Sequence, residues 1–176
     1  KYLQAIEHIQ EALKIEIKLN NPLFESQLRL DYANSLNNMN NYDLSIEQNK
    51  QAIDILESIE NDRLIGLSYA HLSDSYMIKG DYSSSIEYGE KSIAKFKKLY
   101  MTNYIAIACN WTAAPCCKVG LYDKMYAKAI EAESLIIGLD DFFREGKVEY
   151  FKFYYALSQN DYNEALSHID ISIDKF

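Results

Sequence analysis

The sequence predicts an all-α protein built as an array of antiparallel helix pairs, and three observations support this fold class. Only two prolines and six glycines interrupt 176 residues, which favours long helices over many short strands. Apolar residues recur at steps of three and four, the spacing of one helical face. A tyrosine recurs every 40 residues, as is typical of repeat arrays. The repeated residues are Tyr2, Tyr42, Tyr82, Tyr122 and Tyr162.

Mostly small residues repeat with the tyrosine. Three positions after each tyrosine stand Ala5, Ser45, Ser85, Met125 and Ala165. Ten positions after it stand Ala12, Ala52, Ser92, Ala132 and Ser172. One chemical unit is therefore copied along the chain.

Taken in order, the pattern predicts about nine helices joined by short turns. They are Lys1–Leu19, Pro22–Asn38, Tyr42–Glu60, Arg63–Lys79, Tyr82–Tyr100, Thr102–Lys118, Leu121–Ile137, Asp140–Gln159 and Tyr162–Phe176. Residues 1–19 form the second helix of a truncated repeat, followed by helix pairs at residues 22–60, 62–100, 101–138 and 139–176. Because the preceding helix and an initiator methionine are missing, we expect this single array of residues 1–176 to be part of a longer protein.

Two residues interrupt the helical pattern. Pro115 lies inside a predicted helix, where it removes a donor and clashes with the carbonyl of Trp111, so we expect a kink or an early end there. Gly89 lies in mid-helix and costs about 1 kcal/mol relative to alanine unless close packing requires it.

Composition excludes several classes of function. The net charge of −8 argues against a nucleic-acid-binding surface, because phosphate contacts need clustered Lys and Arg. No apolar run is long enough to span a membrane. The three cysteines, Cys109, Cys116 and Cys117, form no disulfide framework or zinc pattern and indicate a reducing, cytoplasmic compartment. No catalytic, cofactor or metal motif is recognisable, so we predict a protein that is not an enzyme over this segment.

The repeat resembles the tetratricopeptide repeat (TPR). Lys79-Gly80-Asp81-Tyr82 followed by Ser85 and Ser92 matches that family's turn and its two small positions, as do Tyr162, Ala165 and Ser172. The resemblance implies a right-handed superhelical α-solenoid. At 40 residues, the repeats are similar to the lengthened arrays of bacterial peptide-pheromone-responsive regulators, response-regulator phosphatases and some sensor kinases.

The resemblance also implies that the first helix of each pair lines a concave groove. Asparagine amides and aromatic rings on that face are suited to a peptide backbone and its apolar side chains. The predicted binding residues are Asn34, His71, Asp74, Asn110, Trp111, Tyr150 and Tyr154. In the alternative interpretation, Tyr150, Phe151 and Tyr154 belong to the core of the last pair. The acidity of the chain predicts a ligand with a cationic or neutral side chain.

Three hypotheses for function follow. The first is a peptide- or protein-binding sensor array of a bacterial cytoplasmic regulator. The second is a passive scaffold or dimerisation array, which forms a homodimer without a small ligand. The third is the regulatory array of a response-regulator phosphatase whose catalytic part lies outside this segment. The sequence does not identify the ligand or the effector domain.

Overall fold

The computed structural model of the protein describes residues 2–136 and 141–175. These residues form nine helices and no strand, as the sequence predicted. The helices are α1 (Tyr2–Leu19), α2 (Pro22–Asn38), α3 (Tyr42–Ser58), α4 (Asp62–Lys79), α5 (Tyr82–Lys98), α6 (Thr102–Lys118), α7 (Tyr122–Ile136), α8 (Phe142–Ser158) and α9 (Tyr162–Lys175). Outside the described residues lie Lys1, Phe176, the predicted helix ends at Ile137 and Asp140, and the predicted boundary between 101–138 and 139–176.

The helix ends share one geometry, which explains the even spacing of the helices. Among the described residues, seven helices are followed by a residue in the left-handed region, and these residues are spaced 20 or 40 positions apart. These residues are Asn20, Asn40, Glu60, Gly80, Tyr100, Gly120 and Asn160. The next residue donates its N–H to the carbonyl five positions back, as Asn41 does to Leu36 at 2.9 Å. This Schellman bond keeps each turn short, and short turns make successive helices antiparallel.

The first helices of the pairs, α2, α4, α6 and α8, form an inner row. Each contacts the next first helix along the array. Within residues 2–136 and 141–175, the backbones of successive second helices, which are α1, α3, α5, α7 and α9, do not approach one another as closely as those of the first helices do. The first helices therefore lie closer together and line the concave inner side, and the second helices form the convex outer side.

The repeated residues have two different structural roles. Each second helix begins at its tyrosine. That side chain is half-buried at Tyr42, Tyr82 and Tyr122, and 64% exposed at Tyr162. The small residues, in contrast, lie where helices approach closely. Ser92, for example, is fully buried and donates to the carbonyl of Gly66 at 2.9 Å.

Pro115 does not end its helix, so the prediction of an early end is wrong. Helix α6 continues to Lys118, and the Val119 N–H donates to the Pro115 carbonyl at 3.3 Å. Pro115 removes one helix donor, but it and Cys116 are buried, and this burial holds the last turn in place. Gly89 is required by close packing, because a Cβ there would lie 2.3 Å from Oγ1 of Thr112.

Candidate functional site

A cavity of about 510 Å³ opens on the inner side where α4, α6 and α8 meet. Its volume is within the range of about 300–1,000 Å³ that is common for ligand pockets. It is lined by Ser73, Asp74, Met77, Ile78, Asn110, Trp111, Ala114, Lys147, Tyr150 and Phe151. The structure therefore brings together four of the predicted binding residues, which are Asp74, Asn110, Trp111 and Tyr150. We call this space the inner cavity.

Asn110 is the most unusual residue of the inner cavity. It is 3% exposed, and neither its side-chain nitrogen nor its oxygen has a hydrogen-bond partner. It also lines a neighbouring cavity of about 190 Å³ between α6 and α8. A buried polar group without a partner costs roughly 1–3 kcal/mol, and in native proteins such groups are rare. The unpaired amide of Asn110 therefore marks this wall as a candidate ligand contact.

Trp111 connects the inner cavity with a smaller, apolar one. The smaller cavity, of about 180 Å³, lies between α4 and α6 and includes His71, Phe96 and Tyr104 in its lining. Burial lowers the pKa of His71 below its usual value, against the opposing charge of Asp31. The imidazole is therefore neutral near pH 7. Its Nδ1 is buried without a partner, so an apolar group with one polar atom would suit this space.

The charge on the inner wall is mixed, whereas the sequence predicted a negative groove. Partial burial raises the pKa of Asp74 on α4 and lowers that of Lys147 on α8, and each charge opposes the shift of the other. Arg144 adds a second cation. Its Nε pairs with Asp141 Oδ2 at 2.7 Å, but its Nη1 is buried without a partner. The α4 side of the inner cavity thus carries the carboxylate of Asp74 and the α8 side the ammonium of Lys147, and Arg144 lines the neighbouring cavity between α6 and α8.

The aromatic residues of α8 are divided between the cavity and the core. Tyr150 is 38% exposed and lines the inner cavity, where its hydroxyl donates to that of Tyr154 at 3.1 Å. This hydrogen bond raises the pKa of Tyr150 to about 12. Tyr154 packs partly against the core and does not line the cavity. Phe151 is 4% exposed and belongs to the core, although one side of it reaches the cavity.

Asn34 is the predicted residue that lies away from these cavities, and Lys147 is a charged lining residue that was not predicted. Asn34 is exposed on α2, outside the inner cavity, and its carbonyl accepts a hydrogen bond from Asn38 Nδ2 at 2.9 Å. Lys147 was missed because the residues predicted on α8 were the aromatic ones, Tyr150 and Tyr154. Lys147 lies three residues before Tyr150, on the same helical face, and that spacing was the available signal.

The described residues offer binding chemistry at this site. Among residues 2–136 and 141–175, no group of three or more His, Cys, Asp or Glu side chains is placed to hold a metal ion. No helix of that part of the chain is long and apolar enough to cross a membrane. Burial raises the pKa of the Cys109 thiol to about 12, so this thiol is protonated at neutral pH.

No protein-family model matches the chain. Response regulator aspartate phosphatase H of Bacillus subtilis is 26% identical to it over 124 residues, which are 68% of this chain and 32% of that protein. The chain thus spans about a third of the length of this relative.

Solved structures show the same fold. BtubC from P. vanneervenii has a TM-score of 0.89 and 13% identity, and the match covers 99% of this chain and 72% of that one. TPR-like repeats of a putative kinesin light chain from Podosopora anserina have a TM-score of 0.80 and 12% identity, and the match covers 99% of this chain and 86% of that one. A Rap protein complexed with Competence and Sporulation Factor has a TM-score of 0.77 and 17% identity, and the match covers 99% of this chain and 49% of that one. The chain therefore has a TPR-like solenoid fold, as its sequence predicted.

Proposed function

We propose that the array is a peptide- or protein-binding module of a bacterial regulatory protein, and that it binds an extended segment along its inner row of helices. The observation that carries this proposal is the buried, unpaired amide of Asn110 on the wall of the inner cavity. An asparagine amide both donates and accepts, so it pairs with the N–H and C=O of a peptide backbone. Because the amide atoms are covered, binding requires the side chain to turn into the cavity.

The other lining residues supply contact area. Trp111 and Tyr150 offer rigid aromatic surface, which is gained at low entropic cost, and Met77 adds a side chain that adapts to irregular shapes. An apolar ligand side chain enters the smaller cavity beside His71. The predicted preference for a cationic or neutral ligand side chain applies near Asp74 only. Towards α8 the ligand meets Lys147 and Arg144 instead.

The relatives support a regulatory role for the whole protein. The similarity to a response regulator aspartate phosphatase favours a sensing or regulatory array over a passive scaffold. A Rap protein of the same fold is complexed with Competence and Sporulation Factor, which supports the binding of a signalling factor by this array as well. In this proposal the segment binds and does not catalyse. The three free thiols fit a cytoplasmic location.

The test is a binding experiment on the purified array. Peptides selected from a phage-displayed library of short linear sequences are synthesised and titrated against wild type and against Asn110→Ala, Asn34→Ala and Asn163→Ala. Asn110→Ala should weaken binding about tenfold, since a lost pair of hydrogen bonds costs about 1–2 kcal/mol. Asn34→Ala should weaken binding less than Asn110→Ala does, because Asn34 lies outside the cavity. Asn163, exposed on α9, is the matched control and should change nothing.

A stability measurement separates a binding role for Asn110 from a structural one. Because its amide is unpaired, Asn110→Ala should leave the free energy of unfolding unchanged or slightly higher. If Asn110→Ala destabilises the fold by more than about 1 kcal/mol, the residue has a structural partner. If Asn163→Ala weakens binding as much as Asn110→Ala, the ligand does not lie on the inner wall, and the scaffold hypothesis is preferred.

A further inference from the structure

The outer side of the array contains a series of clefts related by the 40-residue period. Each lies between two successive second helices, with a first helix as its floor. The cleft between α3 and α5 has a volume of about 270 Å³. It is lined by Lys50, Ile53, Asp54, Tyr69, Leu72, Tyr88 and Lys91. Tyr88 stacks on Tyr76 with ring centroids 5.4 Å apart, and it lies 5.9 Å from Tyr69. We call this space the tyrosine cleft.

In the cleft between α1 and α3, hydrogen bonds hold the walls to the floor. From α2, Arg29 Nη1 donates to Gln48 Oε1 on α3 at 3.0 Å. From the other wall, Gln10 Nε2 on α1 donates to the Tyr32 hydroxyl on α2 at 2.7 Å. The polar groups of both walls are therefore bonded to the floor of this cleft.

In the two clefts nearer the carboxyl end, ion pairs join the helices that line each cleft. Lys128 on α7 reaches Glu90 on α5 at 3.2 Å, directly across the cleft. In the last cleft, Glu149 on α8 lies 2.6 Å from His168 on α9, and Lys152 on α8 pairs with Glu133 on α7 at 2.6 Å. The charged groups that line these clefts thus already have partners from another helix.

The tyrosine cleft lacks such a crossing pair. One repeat earlier, the positions equivalent to Glu90, Lys128 and Glu131 are occupied by Lys50, Tyr88 and Lys91. The phenol of Tyr88 thus replaces the bridging cation, and two lysines replace the two carboxylates that flank it. Among the described residues, no hydrogen bond or ion pair joins α3 to α5. Each wall of this cleft therefore presents a lysine without a carboxylate from the opposite wall.

The partners of these lysines are weak ones. Lys91 pairs with Glu87 of its own helix at 2.6 Å, and its ammonium lies 4.7 Å from the centre of the Tyr88 ring. An exposed pair of this kind stabilises a helix only weakly and is easily exchanged. Lys50 lies 5.9 Å from the centre of the Tyr76 ring, and a hydrogen bond with this neutral side chain raises the pKa of Lys50.

We propose that the tyrosine cleft is a second docking site, which takes a carboxylate side chain of a partner protein together with an adjacent apolar side chain. The carboxylate lies between Lys50 and Lys91, as the missing bridge, and the apolar group packs on Tyr69 and Tyr88. Asp54 and Glu87 limit the positive charge, and the chain carries a net −8, so a single carboxylate suits the cleft better than a polyanion such as nucleic acid. This site lies on the opposite side from the inner cavity and does not depend on the function proposed there.

The experiment uses a capped, fluorescein-labelled peptide that alternates glutamate with leucine, and its glutamine counterpart. Fluorescence polarisation is measured with wild type, Lys50→Glu/Lys91→Glu and Lys14→Glu, the last being an exposed lysine on α1. Asn110→Ala is included as the inner-cavity variant. Wild type should bind the glutamate peptide more tightly than the glutamine peptide. The double variant should lose about tenfold in affinity, while Lys14→Glu and Asn110→Ala should not.

Ring signals in NMR spectra locate the peptide directly. Addition of the glutamate peptide to wild type should shift the resonances of Tyr69, Tyr76 and Tyr88. Equal binding of both peptides to wild type, no binding at millimolar peptide, or equal affinity of the double variant would overturn the proposal. An equal loss with Lys14→Glu would also overturn it, because the effect would then reflect overall charge.

Discussion

The two halves of the array fill the same repeat position in different ways. Three residues after the tyrosine, α3 has Ser45 and α5 has Ser85, whereas α7 has Met125. Ser45 Oγ donates to the Ala33 carbonyl at 2.8 Å and lies 3.3 Å from Ser75 Oγ. Met125 is fully buried in an apolar cluster that extends from α5 to α8. At this position the α2–α3 and α4–α5 junctions are thus polar, and the α6–α7 junction is apolar.

This difference bears on where the inner cavity lies. A net hydrogen bond stabilises a fold by only about 0.5–1.5 kcal/mol, whereas a buried methionine contributes several times more. Helices α6 and α8, which carry Asn110 and Tyr150, both contribute to the continuous apolar cluster around Met125. The cavity is therefore built mainly on helices that are joined by apolar packing.

The largest expected effect is that of Met125→Ala. Truncation of a fully buried methionine leaves a cavity and should lower the free energy of unfolding by about 2–5 kcal/mol. Urea denaturation followed by circular dichroism measures the change. A loss below about 1 kcal/mol would show that the α6–α7 junction is no more dependent on apolar packing than the α2–α3 junction.

Gly89→Ala tests the contact between α5 and α6, where the two kinds of junction meet. Its Cβ would lie 2.3 Å from Thr112 Oγ1, which is held by a hydrogen bond to the Ala108 carbonyl at 2.7 Å. The expected loss is about 1–3 kcal/mol, as for other overpacked cores. Thr112→Ala in the same chain should recover part of it, and a double-mutant cycle measures the recovery. Purely additive losses would contradict the proposed clash.

Ser45→Ala makes the direct comparison with Met125→Ala, at the equivalent position. It removes the buried hydrogen bond to Ala33 and the longer contact with Ser75 but opens little space, so the expected loss is about 0.5–1.5 kcal/mol. Thermal denaturation and urea denaturation should agree on this ranking. If Ser45→Ala costs as much as Met125→Ala, the polar network of the amino-terminal half stabilises the fold more than its individual bonds indicate.

The smallest effect concerns the ion pairs that join α4 to α5. Hydrogen bonds from Lys95 and Lys98 lower the pKa of Asp62 to about 2. Because the folded pKa is depressed, the stabilisation is present above the usual pKa of about 4 and is lost as the pH falls towards 2. The stabilities of wild type and Asp62→Asn, measured from pH 7 to pH 2, should therefore converge at the acidic end. A constant difference across this range would contradict the assignment.

Much of the fold follows from local sequence. The 40-residue tyrosine period, the turn residues near Asn40 and Gly80, and the scarcity of helix breakers are short-range signals, and they predicted nine antiparallel helices. The resemblance to the tetratricopeptide repeat also predicted that Asp74, Asn110 and Tyr150 face one groove. Such signals are reliable because helix periodicity and turn chemistry depend on neighbouring residues.

Other features of the candidate site depend on how α4, α6 and α8 pack together. Three features depend on packing between segments that are distant in sequence. Asn110 is buried without a partner, Lys147 of α8 lines the cavity, and Asn34 lies outside it. Pro115 breaks a local rule, yet buried neighbours keep its helix intact. Likewise, the 40-residue period makes Lys50 and Glu90 equivalent in sequence. Only the tertiary structure shows that Lys50 lines an open cleft, whereas Glu90 pairs with Lys128. Charge and periodicity in sequence do not specify which side chains pair across a helix junction, because pairing depends on distances that only the tertiary structure sets.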